Sequence, residues 1–201
     1  MPADPTLPVT ATRAPAGRLW VGGCDLSALA ATHGTPLYVY DQATLDVALA
    51  TIQQGLARWP GAASVAYAAK AWLNTTLLRW AARRGLGLDV VSEGELRYAL
   101  QAGLDPATIH LHGNNKPDAL LRLAVEVGVG RIVLDQEAEG ARLEAICAAL
   151  GRRQAVWMRL NPAVAADTHP HVTTGDGTSK FGLGLEDGAA SRVAAHLCRA
   201  A

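Results

Sequence analysis

One lysine in this sequence stands at the end of a run of small residues. In the strand-like segment 64–70, SVAYAAK, alternate residues share a face, so Ser64, Ala66, Ala68 and Lys70 point the same way. Small neighbours leave room beside the lysine for a ligand. A partly desolvated amine has a lowered pKa, which suits Schiff-base formation with a carbonyl. The competing reading is a lysine that ends a strand and points to solvent. The next strand-like run, GLGLDVV (85–91), repeats the pattern, with Gly85 and Gly87 on the face that ends in Asp89. That carboxylate either orients the amine or a bound ring, or satisfies loop amides. Arg159, at the end of AVWMRLN, is either an inward hydrogen-bond fork for a phosphorylated, phenolic ligand or a surface arginine.

His110 and His112 lie two apart, on one face of a strand. A metal site needs further ligands at a convincing spacing, and none is seen, so a core or ligand-facing imidazole is expected and no metal. His169 and His171 flank Pro170 in a loop, 163–182, with no apolar periodicity; Ser179 and Lys180 at its far end could meet an anion. Loops of about 20 residues in compact domains are usually functional or disordered.

The elements that must position these groups alternate in type. After the helix signal of Leu45, Leu49, Ile52, Leu56 and Trp59, β runs at 64–70, 85–91, 108–113, 131–136 and 155–161 are separated by helical patterns at 73–84, 93–102, 117–127 and 137–150. Such alternation predicts βαβ units and a parallel sheet, as an open doubly wound sheet or a (β/α)8 barrel. The first strand-to-helix turn, AAKAWLNT, lacks the glycine-rich phosphate fingerprint of a dinucleotide fold. Polar residues also collect at the C-terminal ends of the strands, where barrel enzymes keep their chemistry. The expectation is therefore an α/β protein with about five of the eight strands of a barrel, a chain that looks truncated. Residues 1–17, with four prolines, read as a flexible leader, and 18–40 as a separate β-type segment closing on the strand formers PLYVY. Residues 41–201 read as the incomplete barrel.

Composition narrows the partners. Lys+Arg and Asp+Glu number 18 each, for a net charge of zero, which offers no electrostatic pull toward nucleic acid or an anionic membrane. Half of the residues are hydrophobic, as in a packed core, yet no stretch reaches the ~20 apolar residues of a membrane span. The opening MPADPTLPVT lacks the basic start and apolar run of a signal peptide, so none is expected. Cys24, Cys147 and Cys198 are far apart and read as reduced thiols of a cytoplasmic protein, Cys147 as core packing.

The ordered series TPLYVYD, YAAKA, GLGLDVVSEGE, HLHGNNK, RLNP and TTGDGTSKFG resembles the diaminopimelate decarboxylases. These belong to the barrel-type, alanine-racemase-like, pyridoxal-phosphate decarboxylases that also act on ornithine and arginine. The likeness runs from about Arg18 to the end, and GNNK with TTG…SKFG leans toward the diaminopimelate branch. It implies that Lys70 carries pyridoxal 5'-phosphate as a Schiff base, with Asp89 and Arg159 around the cofactor. His112, with Asn114 and Asn115, would sit near the barrel mouth, and the loop ending in Lys180 would cover the substrate. The implied reaction converts the small amino acid meso-2,6-diaminopimelate to L-lysine, the last step of lysine biosynthesis, in a homodimer. Family members continue into the remaining strands and a β-domain built from both termini, to which 18–40 would contribute. The 201-residue chain alone is accordingly expected to be inactive. Other readings are a decarboxylase of another basic amino acid or polyamine precursor, a non-catalytic pyridoxal-phosphate-binding barrel, and a lysine-dependent aldolase.

Overall fold

The computed structural model describes Asp4 and residues 6–14, 17–162 and 181–200. The chain divides into two compact units, residues 1–63 and 64–201. In the first, strands β1 (Thr12–Arg13), β2 (Leu19–Val21) and β3 (Cys24–Asp25) form an antiparallel meander, followed by helices α1 (Leu26–His33) and α2 (Gln42–Leu56). Asp25 starts α1 by accepting from the Ser27 amide, and Asp41 starts α2 by accepting from Thr44. Within the span read as a leader, Thr12 and Arg13 pair with Trp20 and Leu19. The helix read as opening the barrel, α2, falls in this first unit.

PLYVY (36–40) is not a strand, contrary to the reading of its composition. Tyr38 is 87% exposed, and no described strand pairs with the segment. Strand propensity is a preference for a pleated surface paired with a neighbouring strand, and composition alone does not produce one.

The second unit holds the parallel sheet: β4 (Ala66–Ala68), β5 (Gly87–Val90), β6 (Ile109–Leu111), β7 (Arg131–Leu134) and β8 (Val156–Met158), hydrogen-bonded in sequence order. Between them run α3 (Thr75–Arg83), α4 (Glu93–Gln101), α5 (Asp118–Val127) and α6 (Glu137–Leu150). Sequential neighbours in a parallel sheet, each joined by a crossover helix, are the layout of a (β/α)8 barrel, and this unit is part of one. The core fills the helix side of the sheet. Leu88, Val90, Ile109, Leu111, Ile132 and Leu134 are fully buried there with Leu78, Leu96 and Leu121.

The fifth strand divides at Arg159. Its amide donates to Leu134 on β7, while its carbonyl accepts from Leu183 on the other side. Beyond it, β9 (Leu160–Asn161) pairs in parallel with a further short strand, β10 (Leu183–Gly184), and helix α7 (Ala189–Ala200) packs on α6. β10 was not legible in the sequence, because a two-residue strand carries no periodicity of its own; the 12-residue α7 is amphipathic and was not read as a helix. The loop 163–182, with His169, His171, Ser179 and Lys180, lies outside the described residues but for its last two positions, Phe181 and Gly182.

Candidate active site

In each parallel strand the residues alternate between the helix-packed face and the opposite one. The register puts Ala66 beside Gly87, Ala68 beside Asp89, Asp89 beside His110, and His110 beside Arg131. One face of the sheet is therefore core. The other carries small residues toward the N-terminal ends and polar ones toward the C-terminal ends. An added Cβ on Gly87 would meet the Thr108 carbonyl oxygen at 2.9 Å, so this floor admits nothing larger than glycine at that point.

A cleft of about 830 Å³ opens at the C-terminal ends. Lys70, Asp89, His112 and Arg159 all line it, with Ala68, Gly113, Asn114, Val133, Trp157 and Phe181 among their neighbours. The four residues singled out from sequence thus converge on one space, although they come from four different strand ends. Their individual settings differ from expectation in one respect. The strand stops at Ala68, and Lys70 sits in a single 3-10 turn, Ala69–Ala71, with an exposed side chain. Desolvation by small strand neighbours is accordingly not what surrounds its amine in this chain.

Asp89 is held between two imidazoles. His110 Nδ1 lies 3.0 Å from Asp89 Oδ1, and His112 Nε2 lies 3.7 Å from the same oxygen. Burial would raise the pKa of this carboxyl, but His112 and His110 more than offset it and hold the group below the ordinary carboxylate value. His110 is in turn tilted against Trp157, with ring centroids 4.7 Å apart, and the Arg131 guanidinium stands 5.9 Å from the Trp157 ring centre. His110 therefore braces Asp89 rather than lining the cleft itself.

Arg159 Nη1 donates to Asp135 Oδ1 at 3.3 Å, and its guanidinium lies over the Phe181 ring at 4.6 Å. Asp135 is only 3% exposed. Behind it, Glu139 Oε2 accepts from the Asp135 amide at 3.0 Å, and Glu139 Oε1 pairs with Lys116 Nζ at 3.0 Å. Lys116 is 1% exposed and also donates to the carbonyls of Gly113 and Val133. The sequence reading passed over Asp135, Lys116 and Glu139. A signal for Glu139 was present. In DVVSEGE and LDQEAE an acidic residue falls four positions after the residue that follows the strand, Val91 or Asp135, and Glu95 likewise accepts from the Val91 amide, at 2.6 Å. Both carboxylates cap an amide at a helix N-terminus, as in a capping box shifted by one residue.

Among the described residues no three His, Cys, Asp or Glu side chains cluster as metal ligands, and no helix is long and apolar enough to cross a membrane.

A lysine, an imidazole-flanked carboxylate and an arginine at the C-terminal mouth of parallel strands are the furniture of a barrel enzyme. Residues 46–200 match the family model described as "Pyridoxal-dependent decarboxylase, pyridoxal binding domain", and the chain belongs to that family. It is 43% identical over 177 residues to the diaminopimelate decarboxylase of Bacillus subtilis, covering 88% of this chain and 40% of that protein. Against the diaminopimelate decarboxylase of Mycobacterium leprae the identity is 44% over 183 residues, 91% of this chain and 38% of the relative. The crystal structure of diaminopimelate decarboxylase from M. jannaschii in co-complex with L-lysine superposes with a TM-score of 0.84 at 31% identity, over 94% of this chain and 44% of that one. The chain thus spans about 40% of the length of the curated relatives it matches.

Proposed function

We propose that this chain supplies the pyridoxal-phosphate-binding part of a diaminopimelate decarboxylase, which converts meso-2,6-diaminopimelate to L-lysine and carbon dioxide. The observation that carries the reading is the convergence of Lys70, Asp89, His112 and Arg159 on one cleft. Relatives named for this activity at 42–44% identity favour diaminopimelate over other basic amino acids. The donor set fits the cofactor: a primary amine for its carbonyl, an ionised carboxylate, an arginine for phenolic or phosphate oxygens, and a cleft within the ~300–1,000 Å³ of cofactor sites. Pyridoxal phosphate, when bound, supplies the electron sink that accepts the pair left by the departing carboxylate.

This chain's residues then have separate tasks. Lys70 Nζ, a primary amine lining the cleft, would hold the cofactor through its carbonyl carbon. Asp89, kept ionised by His112 and His110, places a fixed negative charge in the same cleft as Lys70. Arg159 presents donors at the far wall, with Phe181 over its guanidinium face. A homodimer and a cytoplasmic location accompany this reading as expectations.

The test is full-length protein titrated with pyridoxal phosphate, followed by a substrate panel with lysine and carbon dioxide as readouts. The expected result is a visible absorbance band, fixed by borohydride, in the wild type and lost in Lys70→Ala, with turnover of diaminopimelate above ornithine and arginine. A band unchanged in Lys70→Ala would remove Lys70 from the role. Binding without turnover of any amino acid would favour a non-catalytic carrier.

A further inference from the structure

We propose that Lys116 is a positioning residue, which sets the Arg159 guanidinium in the cleft through Glu139 and Asp135 without touching the cleft's contents. The proposal rests on the reading of this cleft as a pyridoxal-phosphate site only for its consequence, not for its geometry. Lys116 leaves the strand-end loop that follows β6, and its Nζ reaches back into the fold, where its side chain has no exposed surface. Three acceptors meet its three hydrogens: the Gly113 carbonyl, the Val133 carbonyl at 2.8 Å and Glu139 Oε1 at 3.0 Å. Gly113 and Val133 both line the cleft.

Glu139 uses its other oxygen on the Asp135 amide, so its two bonds tie the ammonium to the backbone that carries Asp135. Asp135 has one described side-chain partner, Arg159, on Oδ1; Oδ2 is buried and has none. A buried carboxylate with a single donor is costly to leave unpaired, so Asp135 commits Arg159 to its present position. The chain of contacts runs from β6 through α6 and the end of β7 to the divided fifth strand. It joins segments more than 40 residues apart, from Lys116 to Arg159. A lysine–glutamate pair placed only for stability would not need to end on a cleft arginine. A hydrophobic pair of similar volume commonly serves the core as well or better. Gly113, with φ +109° and a would-be Cβ 3.2 Å from the Val91 carbonyl oxygen, gives the loop the conformation that turns Lys116 inward.

The experiment uses full-length protein and the pair variant Lys116→Met with Glu139→Gln, which removes both charges together and keeps an acceptor for the Asp135 amide. Two readouts are taken, each in the native and in the Asp135→Asn background, with folding checked by thermal denaturation. The first is independent of cofactor: the rate at which phenylglyoxal modifies Arg159, located by mass spectrometry in cofactor-free protein. The second is the Kd for pyridoxal phosphate. The pair variant is expected to label Arg159 several-fold faster. Its Kd should rise on the order of tenfold, the scale on which loss of an orienting partner acts. Asp135→Asn should give the same changes, and the pair variant should add little in that background. Unchanged labelling in a folded pair variant, or full additivity with Asp135→Asn, overturns the proposal. If the pair variant does not fold, Glu139→Gln alone is read in the same cycle and by the same criteria. Should the wild type take up no cofactor, the functional reading fails, while the labelling rates still decide the role of Lys116.

Discussion

His110 Nδ1 sits 3.0 Å from Asp89 Oδ1, the two residues being direct register partners on neighbouring strands. That pairing makes Asp89 a stronger acid in the folded chain than in the unfolded one, with His112 acting on the same oxygen. Between the two pKa values the unfolded state binds more protons, so stability rises with pH across that window. The contribution is complete above the unfolded value, about 3.9, and is lost as pH falls through the lower folded value. Asp89→Asn is expected to flatten the acid limb of the stability curve while changing its neutral part less. Urea unfolding at a series of acid pH values checks this; superimposable wild-type and Asp89→Asn limbs would show that the histidines do not hold the carboxylate.

Breaking the Lys116–Glu139 pair from one side should cost far more than removing it whole. Lys116→Met leaves a carboxylate that is 5% exposed without its cation, and loss of one partner of a buried pair costs about 3–5 kcal/mol. Lys116→Met combined with Glu139→Gln should recover most of that loss. Denaturant midpoints of the single and double variants decide the matter, and equal losses in both would contradict it.

Leu88 lies directly behind the cleft, fully buried on the helix side of β5 between Gly87 and Asp89. Leu88→Ala is expected to lower stability by about 2–5 kcal/mol, because a packed sheet cannot close around the lost atoms. Chemical denaturation measures it; a loss under about 1 kcal/mol would mean that the core is less closely packed than this placement requires.

The three thiols should differ in reactivity. Burial raises the Cys147 pKa above the ordinary thiol value, while Cys24 and Cys198 are exposed. Since the thiolate is the reacting form, iodoacetamide at mildly alkaline pH should label Cys147 last. Peptide mass spectrometry gives the order, and early labelling of Cys147 would contradict its placement against the core.

Much of the barrel was written locally in the sequence. The runs at 85–91 and 131–136 became strands because alternation and β-branched residues specify a pleated surface, and the segments between became helices because their apolar residues recur at three and four. That Lys70, Asp89, His112 and Arg159 share one cleft follows from the same pattern: each lies at or just beyond the C-terminal end of a strand, and the ends of parallel strands meet. What depends on a distant partner was not legible. PLYVY has strand composition but pairs with no strand among the described residues, whereas Leu183–Gly184 is a strand because Leu160–Asn161 pairs with it. Nothing local in HGNNK marks Lys116 for burial; Glu139, 23 residues later, supplies the counter-charge that allows it. Periodicity and end chemistry are properties of neighbours in the chain and are fixed by the sequence alone. Burial of a charge, and the pairing of a two-residue strand, are favourable only once the fold has brought both partners together, and these the tertiary structure decided.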